Sequence, residues 1–312
     1  MPSAVPRPCR REFRIAAACL LVLLAPALAA TASAGQQQVF LKLTDTSGNP
    51  VTDLRPEEVQ VIEDGMPRQV TEAQMINWPT RLTLLVDNGP GTTAALSQLR
   101  NGLNGFLEAL SDDIEVSLYT LNPQPRRIVQ GTTDRADLLE GINRIAPDTG
   151  AARFFEGIDE ATKRIDDQDS EQYPVIMVVA SDGPEGSRVI QRDVQRMAER
   201  IGENRIQLHV AMLSLGGQRA SATSGLIQVE LGLQLTQFTR GRYENIAASS
   251  RLETLLPEFG EMISTAHEAQ RSQYLLTYER PSGAEAPTQG ISVSTSRTNA
   301  RANLSLTGHI SP

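Results

Sequence analysis

Apolar runs and amphipathic helical patterns alternate along the middle of the chain. Residues 81–86 and 175–180 are mostly apolar segments, which is typical of strands buried on both faces. After the first of them, apolar residues recur at helical spacing in the segment 96–110. Strands that alternate with helices predict an α/β domain, residues 80–269, with a Rossmann-like, mostly parallel sheet covered by helices on both faces. The same pattern predicts further strands at 114–121 and 206–213 and further helices at 134–145, 154–165, 189–201, 226–238 and 252–269.

Two flanking segments show the pattern of antiparallel strands instead. In the N-terminal flank, residues 35–79, short alternating stretches are interrupted by a hairpin signal at 63–65. The C-terminal flank, residues 270–312, returns to a β pattern after the last helix. Neither flank is large enough to bury a core alone, so we expect the two flanks to pair into a small β subdomain.

The first 34 residues have the features of a secretory signal peptide. Arginines precede a mostly apolar run over residues 15–30, and a small-residue cleavage pattern follows at 32–34. The paired arginines at 10–11 resemble a twin-arginine signal, and ordinary Sec export stays equally open. We therefore expect an exported protein, periplasmic or secreted, with no membrane span in the mature chain.

Charge and cysteine content narrow the possible partners and chemistry. The formal net charge is −8, and removal of the leader, which is rich in arginine, makes the mature chain more acidic. An acidic chain repels phosphate backbones, so we exclude nucleic acid as a partner. Both cysteines, Cys9 and Cys19, lie within the leader. The mature chain therefore has no disulfide, no thiol nucleophile and no cysteine metal site.

Two aspartates stand at the ends of predicted buried strands. Asp87 and Asp182 are each followed by a turn that contains glycine. Ligands of open α/β sheets bind at the carboxyl ends of the strands. Two carboxylates brought together there repel each other unless a cation or a proton intervenes, so the pair is consistent with a divalent metal site. The alternative is that both are turn or helix-cap residues, a role that aspartate commonly has.

Six short segments carry a family resemblance. They are Leu84–Asp87, Val178–Gly183 and Phe238–Tyr243 in the α/β region, and Val51–Leu54, Val59–Gly65 and Gln273–Tyr278 in the flanks. The first three resemble the von Willebrand factor type A domain. The flanking segments resemble those of its bacterial exported subfamily, the VWFA-related, Acidobacteria-type domain. The resemblance implies a Rossmann-like sheet whose loops bind another macromolecule.

Members of the wider family often carry a metal-ion-dependent adhesion site, and the resemblance places its first loop at Asp87. The family pattern there is Asp-x-Ser-x-Ser. In this chain the aspartate matches, but Gly89 and Gly91 stand where the two serines belong. Glycine has no side-chain oxygen, so this loop lacks two of the oxygen ligands that Mg²⁺ needs for octahedral coordination at about 2.1 Å.

The other two loops of that site match in part. Asp182 matches the aspartate of the third loop. In the second loop Ala152 stands where the family has threonine, and Thr149 is an imperfect substitute. The resemblance therefore implies a degenerate metal site of Asp87, Asp182 and Thr149. We expect it to bind Mg²⁺ or another divalent cation weakly or not at all.

The first loop also fits a rival pattern. Residues 89–94 match G-x-G-x-x-[GA], the dinucleotide-binding signature, between a predicted strand and a helix. Asp87 would repel a pyrophosphate there, and Pro90 lacks a backbone donor, so the match is weak. The structural alternative is a tight strand-to-helix turn in which Thr92 or Thr93 caps the helix.

Catalytic patterns are scarce in the mature chain. The three histidines are not at metal-ligand spacing, and neither a G-x-S-x-G elbow nor a Walker lysine occurs. We therefore predict a non-enzymatic protein-interaction module of the adhesion type, with an unidentified protein partner and no assigned oligomeric state. Alternatives are a periplasmic metal-assisted hydrolase that uses Asp87 and Asp182, and a structural envelope protein with a vestigial site. The predicted partner-binding face comprises Asn88, Gly89, Gly91 and Phe154.

Overall fold

The computed structural model of the chain describes residues 35–168, 171–188, 190–214, 224–281 and 290–310. The predicted signal peptide, residues 1–34, lies outside the described residues. The strands are β1 (Gly35–Asp45), β2 (Val59–Glu63), β3 (Met66–Ile76), β4 (Thr80–Val86), β5 (Glu115–Thr120), β6 (Arg126–Thr132), β7 (Tyr173–Ser181), β8 (Gln207–Leu213), β9 (Tyr243–Ile246), β10 (Gln273–Arg280), β11 (Ile291–Thr295) and β12 (Ala300–Ser305). The α-helices are α1 (Leu96–Ala109), α2 (Arg135–Asn143), α3 (Phe154–Asp166), α4 (Gln191–Glu203), α5 (Ser224–Thr239) and α6 (Leu252–Gln270).

The central sheet has the strand order β6-β5-β4-β7-β8-β9. Its pairs are parallel except for the edge strand β6, which runs antiparallel to β5. This confirms the predicted α/β fold with a mostly parallel sheet. The sequence pattern did not predict the two edge strands: β6 buries a single residue, Val129, and β9 is four residues long, so neither has a strong apolar signature.

Helices cover both faces of the central sheet, as predicted. On one face α1, α2 and α6 pack against the sheet through side chains such as Leu103 and Phe259. On the other face α3, α4 and α5 contribute side chains such as Ile158, Met197 and Leu235. The order of the strands places the carboxyl ends of β4 and β7 side by side at the middle of the sheet. Within the described residues, no helix combines the length and apolar character that a membrane crossing requires.

The two flanks pair into a second sheet, as expected. Its order is β11-β2-β3-β10-β1-β12, so strands of the C-terminal flank lie at both edges and β10 lies between the N-terminal strands β3 and β1. Every pair in this sheet is antiparallel. Its core includes Leu41, Val61 and Leu276, which come from both flanks. The flanks therefore bury a joint core that neither could form alone.

An aromatic cluster joins the two sheets. Phe40 of β1 contacts Trp78, which lies between the sheets, and both rings contact Tyr173 at the start of β7. The ring centroids are 5.6–6.3 Å apart, within the range of favourable aromatic pairs. This cluster lies at the end of β7 opposite to the carboxyl edge that holds Asp182.

Candidate functional site

Asp87 is buried at the carboxyl end of β4, and protein donors bind its carboxylate. The residue is 2% exposed. One oxygen, Oδ1, accepts a hydrogen bond from the backbone N–H of Gly89 at 2.8 Å. The other, Oδ2, accepts from both the hydroxyl and the backbone N–H of Ser181, at 2.5 and 3.2 Å. Both carboxylate oxygens are therefore bound to groups of the chain itself.

The protonation of Asp87 reflects two opposing effects. Burial raises the pKa of this carboxyl group above its usual value because the ionised form loses its hydration. The three donors from Ser181 and Gly89 favour the ionised form but do not outweigh burial. An ionised Asp87 therefore depends on these donors, and Ser181, which sequence reasoning missed, supplies two of them.

The two glycines of the first loop are packed too closely for serine. A Cβ atom built on Gly91 would lie 2.1 Å from the Ser181 hydroxyl oxygen, and one on Gly89 would lie 2.2 Å from the side-chain nitrogen of Asn122. Side chains from β7 and from the end of β5 thus occupy the space that a serine would need. The glycines here permit close approach of neighbouring groups to Asp87.

The loop turns tightly into α1, in agreement with the structural alternative. The backbone N–H groups of Thr92 and Thr93 both donate to the carbonyl of Gly89. The predicted capping role of the threonines is wrong, however, because their hydroxyls donate to backbone carbonyls rather than accept from helix N–H groups. Thr92 Oγ1 donates to the carbonyls of Asp87 and Gly89, and Thr93 Oγ1 donates to that of Gly89.

A pair of asparagines closes the loop against its neighbours. The backbone N–H of Asn88 donates to the Asn122 side chain, and the backbone N–H of Asn122 donates to the Asn88 side chain. The Asn122 amide also donates to the carbonyl of Gly150, at 3.0 Å. Asn122 is a second residue that sequence reasoning missed. The sequence feature that could have identified Asn122 is its position directly after the predicted strand 114–121, which pairs with β4.

The remaining predicted ligands lie around Asp87 in different environments. Asp182 is partly exposed, and its backbone N–H donates to the carbonyl of Leu213. Thr149 is exposed on the loop between α2 and α3. The preceding residue, Asp148, donates its backbone N–H to the carbonyl of Asn88, so the structure brings this loop to the same edge as Asp87.

These residues do not fit a Mg²⁺ site. Mg²⁺ needs six oxygen ligands at about 2.1 Å, and the three hydrogen bonds that Asp87 accepts leave about one of its four lone-pair positions for an ion. Gly89 and Gly91 supply no side-chain oxygen. Among the described residues, no three His, Cys, Asp or Glu side chains come together in a metal-binding group.

The four residues predicted to form the partner-binding face are all buried. Asn88 and Phe154 are 6% and 1% exposed, and Gly89 and Gly91 are also buried. Asn88 is held by Asn122, the glycines pack under the loop, and Phe154 packs between α3 and the sheet. Burial leaves Asn88, Gly89 and Gly91 little surface for a partner, whereas Phe154 lines the groove described next. Partner binding at this edge stays a prediction.

An apolar groove lies beside the Asp182 loop. The groove has a volume of about 420 Å³ and lies between the N-terminal ends of α3 and α4 and one side of α5. Its apolar lining residues are Phe154, Phe155, Ile190, Val194, Ile227 and Leu231. Ile190 and Ile227 are 55% and 56% exposed.

Two hydrogen bonds attach this groove to the loop that follows β7. The side-chain amide of Gln228 on α5 donates to the carbonyl of Gly183, at 2.8 Å. The carboxylate of Glu185 accepts from the backbone N–H of Phe154 at the start of α3, at 3.1 Å. The groove and the Asp87 loop are therefore parts of one carboxyl edge of the central sheet.

Replacing Gly91 with the serine of the family pattern should destabilise the protein. We expect Gly91→Ser to lower the free energy of unfolding by about 1–3 kcal/mol, because its Cβ would meet Ser181 and the Gly183 backbone. Urea unfolding followed by circular dichroism measures this change. Gly35→Ser is the matched control, since a Cβ there meets nothing within 4 Å. Equal stability of Gly91→Ser and the parent chain would contradict the packing described here.

Comparisons with known proteins agree with this fold. Residues 82–185 match the family model of the von Willebrand factor type A domain. Among solved structures, the von Willebrand factor type A of Catenulispora acidiphila is 10% identical, with a TM-score of 0.51 over 88% of this chain and 73% of that chain. At this identity the likeness establishes the fold alone.

A second solved structure has a lower similarity. The conserved hypothetical protein BatB from Bacteroides thetaiotaomicron is 13% identical, with a TM-score of 0.45 over 59% of this chain and 98% of that chain. No curated protein sequence matches the chain. The match of residues 82–185 and the first structure together support a von Willebrand factor A-like α/β fold to which the terminal strands add a second sheet.

Proposed function

We propose that this chain, which has a von Willebrand factor A-like fold, is an exported, non-enzymatic protein-interaction module of the Acidobacteria-type subfamily. It binds a protein partner at the carboxyl edge of the central sheet, and this binding needs no metal ion. Export is supported by the signal pattern of residues 1–34. The subfamily is supported by the flanking segments and by their pairing into one sheet.

The observation that carries this proposal is the apolar groove at that edge. Ile190 and Ile227 are each more than half exposed and line the same groove. An exposed apolar surface of this kind is typical of a protein-interaction site, because burying it against a partner releases its hydration water. The groove also lies next to the loop of Asp182, where ligands of open α/β sheets bind.

Metal independence is supported by the hydrogen bonds of Asp87. In a metal-dependent contact the partner's carboxylate would complete the shell of an ion bound to Asp87, but hydrogen bonds from Ser181 and Gly89 take up about three of the four lone-pair positions of this carboxylate. The same bonds argue against the alternative of a metal-assisted hydrolase. That chemistry needs a carboxylate pair open to an ion and to a water molecule.

Site-specific photo-crosslinking in cells that produce the chain tests this proposal. A photo-crosslinking amino acid in place of Ile227 should form an adduct with a partner protein, with equal yield in the presence and absence of a chelator. The same amino acid in place of Met66, which is 59% exposed on the second sheet, is the matched control and should form no such adduct. A requirement for divalent cations, or an adduct only at the control position, would overturn the proposal.

A further inference from the structure

The charged residues that line the groove of α3, α4 and α5 are acidic. Its described lining contains two acidic residues, Glu185 and Glu230, and no lysine or arginine. Other glutamates of the described chain form ion pairs with arginine, as Glu63 does with Arg280 and Glu258 does with Arg251. The groove thus presents a negative charge next to exposed isoleucines.

Neither acidic residue has a basic partner in the described part of the chain. The two oxygens of Glu185 accept from the backbone N–H groups of Ser187 and Phe154. Glu230, which is exposed, accepts a hydrogen bond from the side-chain amide of Gln234. The described part of the chain therefore places no lysine or arginine against either carboxylate.

Glu185 is the more consequential of the two because it is only partly exposed. Burial raises the pKa of its carboxyl group, the hydrogen bonds from Ser187 and Phe154 lower it, and the negative charge of Asp87 raises it further. A cation placed beside Glu185 would favour its ionised form. Excluding water from the groove would strengthen that attraction, since charges interact more strongly at low dielectric constant.

We propose that the groove binds a segment of a partner protein in which an apolar side chain lies next to a lysine or arginine. The apolar side chain packs between Ile190 and Ile227, and the basic group lies against Glu185 and Glu230. This inference rests on the proposed function, since it specifies the chemistry of the partner at the same edge. Apolar contact supplies most of the affinity, and the charges select basic segments over acidic ones.

Selection from a random peptide library tests the inference. Twelve-residue peptides displayed on phage are selected on the purified full chain, and enriched sequences are synthesised and measured by fluorescence polarisation. We expect enriched peptides to pair Leu, Ile or Phe with Lys or Arg within two positions. Their binding should weaken about tenfold in Ile227→Asp. It should weaken about threefold in Glu230→Lys and fall as NaCl is raised, because the charges are near the surface.

Glu203→Lys is the matched control for the charge variant. Glu203 is exposed at the far end of α4 and does not line the groove, so this variant should bind the peptides as the parent chain does. The inference is overturned if no peptide is enriched, if enriched peptides are acidic, or if Ile227→Asp binds them unchanged. If a partner is crosslinked at Ile227 but any of these results is obtained, the proposed chemistry of the bound segment is refuted and the proposed function stands. Absence of both the adduct and the peptides would refute the proposed function as well.

Discussion

Replacing Asp87 with alanine should lower the free energy of unfolding by about 3 kcal/mol. The substitution leaves three buried donors without an acceptor: the hydroxyl and backbone N–H of Ser181 and the backbone N–H of Gly89. Hydrogen bonds to a charged group contribute about 1.5–3 kcal/mol each. The loss should be smaller than their sum, because burial of the ionised carboxylate itself costs stability, as its raised pKa indicates.

Urea unfolding at neutral pH measures this effect. Asp87→Asn is a useful second variant because asparagine has the same size as aspartate. Its N–H₂ group would face a donor from Gly89 or Ser181, so this variant should also be less stable than the parent. The control is Asp112→Ala, because the side chain of Asp112 is 100% exposed. If Asp87→Ala is as stable as the parent, the carboxylate does not hold this edge together and is available for another role.

Replacing Glu63 with glutamine should destabilise the second sheet by about 3 kcal/mol. Glu63 on β2 is 3% exposed and accepts hydrogen bonds from Tyr278, Arg280 and Arg68. Removing the negative charge leaves two arginines in a largely buried position without their counter-ion. Breaking such a pair is costly even where forming it contributes little net stability. Since Glu63 lies in the N-terminal flank and Arg280 on β10 of the C-terminal flank, the substitution should weaken the contact between the two flanks.

The same residue should make stability depend on pH. Burial alone would raise the pKa of Glu63, but the hydrogen bonds from Arg280, Tyr278 and Arg68 outweigh burial and hold the pKa at about 2, against an ordinary value of 4.5. A carboxylate with a lowered pKa stabilises the fold above its unfolded pKa. This contribution should therefore be lost as the pH falls from about 4.5 to about 2.

Unfolding measured across that pH range tests the assignment. Glu63→Gln should be less stable than the parent at pH 7, and the difference should shrink as the pH falls. Glu57→Gln is the control, because the Glu57 side chain is 66% exposed beside Arg55. A constant difference between Glu63→Gln and the parent from pH 7 to pH 2.5 would show that ionisation of Glu63 does not matter.

Most of the fold could be predicted from the sequence because its strongest signals are local. The apolar segments around Leu84 and Val178 and the helical spacing after Leu96 each describe one element, and each element is present. The joint sheet of the flanks followed from a physical limit on how small a core can be. The edge strands β6 and β9 could not be predicted, because an edge strand that buries one side chain or spans four residues carries almost no pattern.

The sequence predicted where the two aspartates lie but not which groups they contact. Asp87 and Asp182 do lie at the carboxyl edge, yet the group that binds Asp87 is Ser181, a residue with no motif of its own. The sequence pattern indicated that Gly89 and Gly91 replace metal ligands. In the structure, the side chains of Asn122 and Ser181 fill the space that side chains at these two positions would need. The groove is formed by residues near positions 154, 190 and 227, and no pattern along the chain joins these three.

Calorimetric titration measures whether the carboxyl edge of the central sheet binds a metal ion. Mg²⁺, Mn²⁺ and Ca²⁺ are titrated into the purified chain, into Asp87→Ala and into Asp182→Ala, the last of which replaces a partly exposed aspartate. We expect no saturable heat for any ion in the parent chain. Saturable binding in the parent that is lost in either variant would contradict this expectation, because the aspartates at the carboxyl edge would then hold a cation.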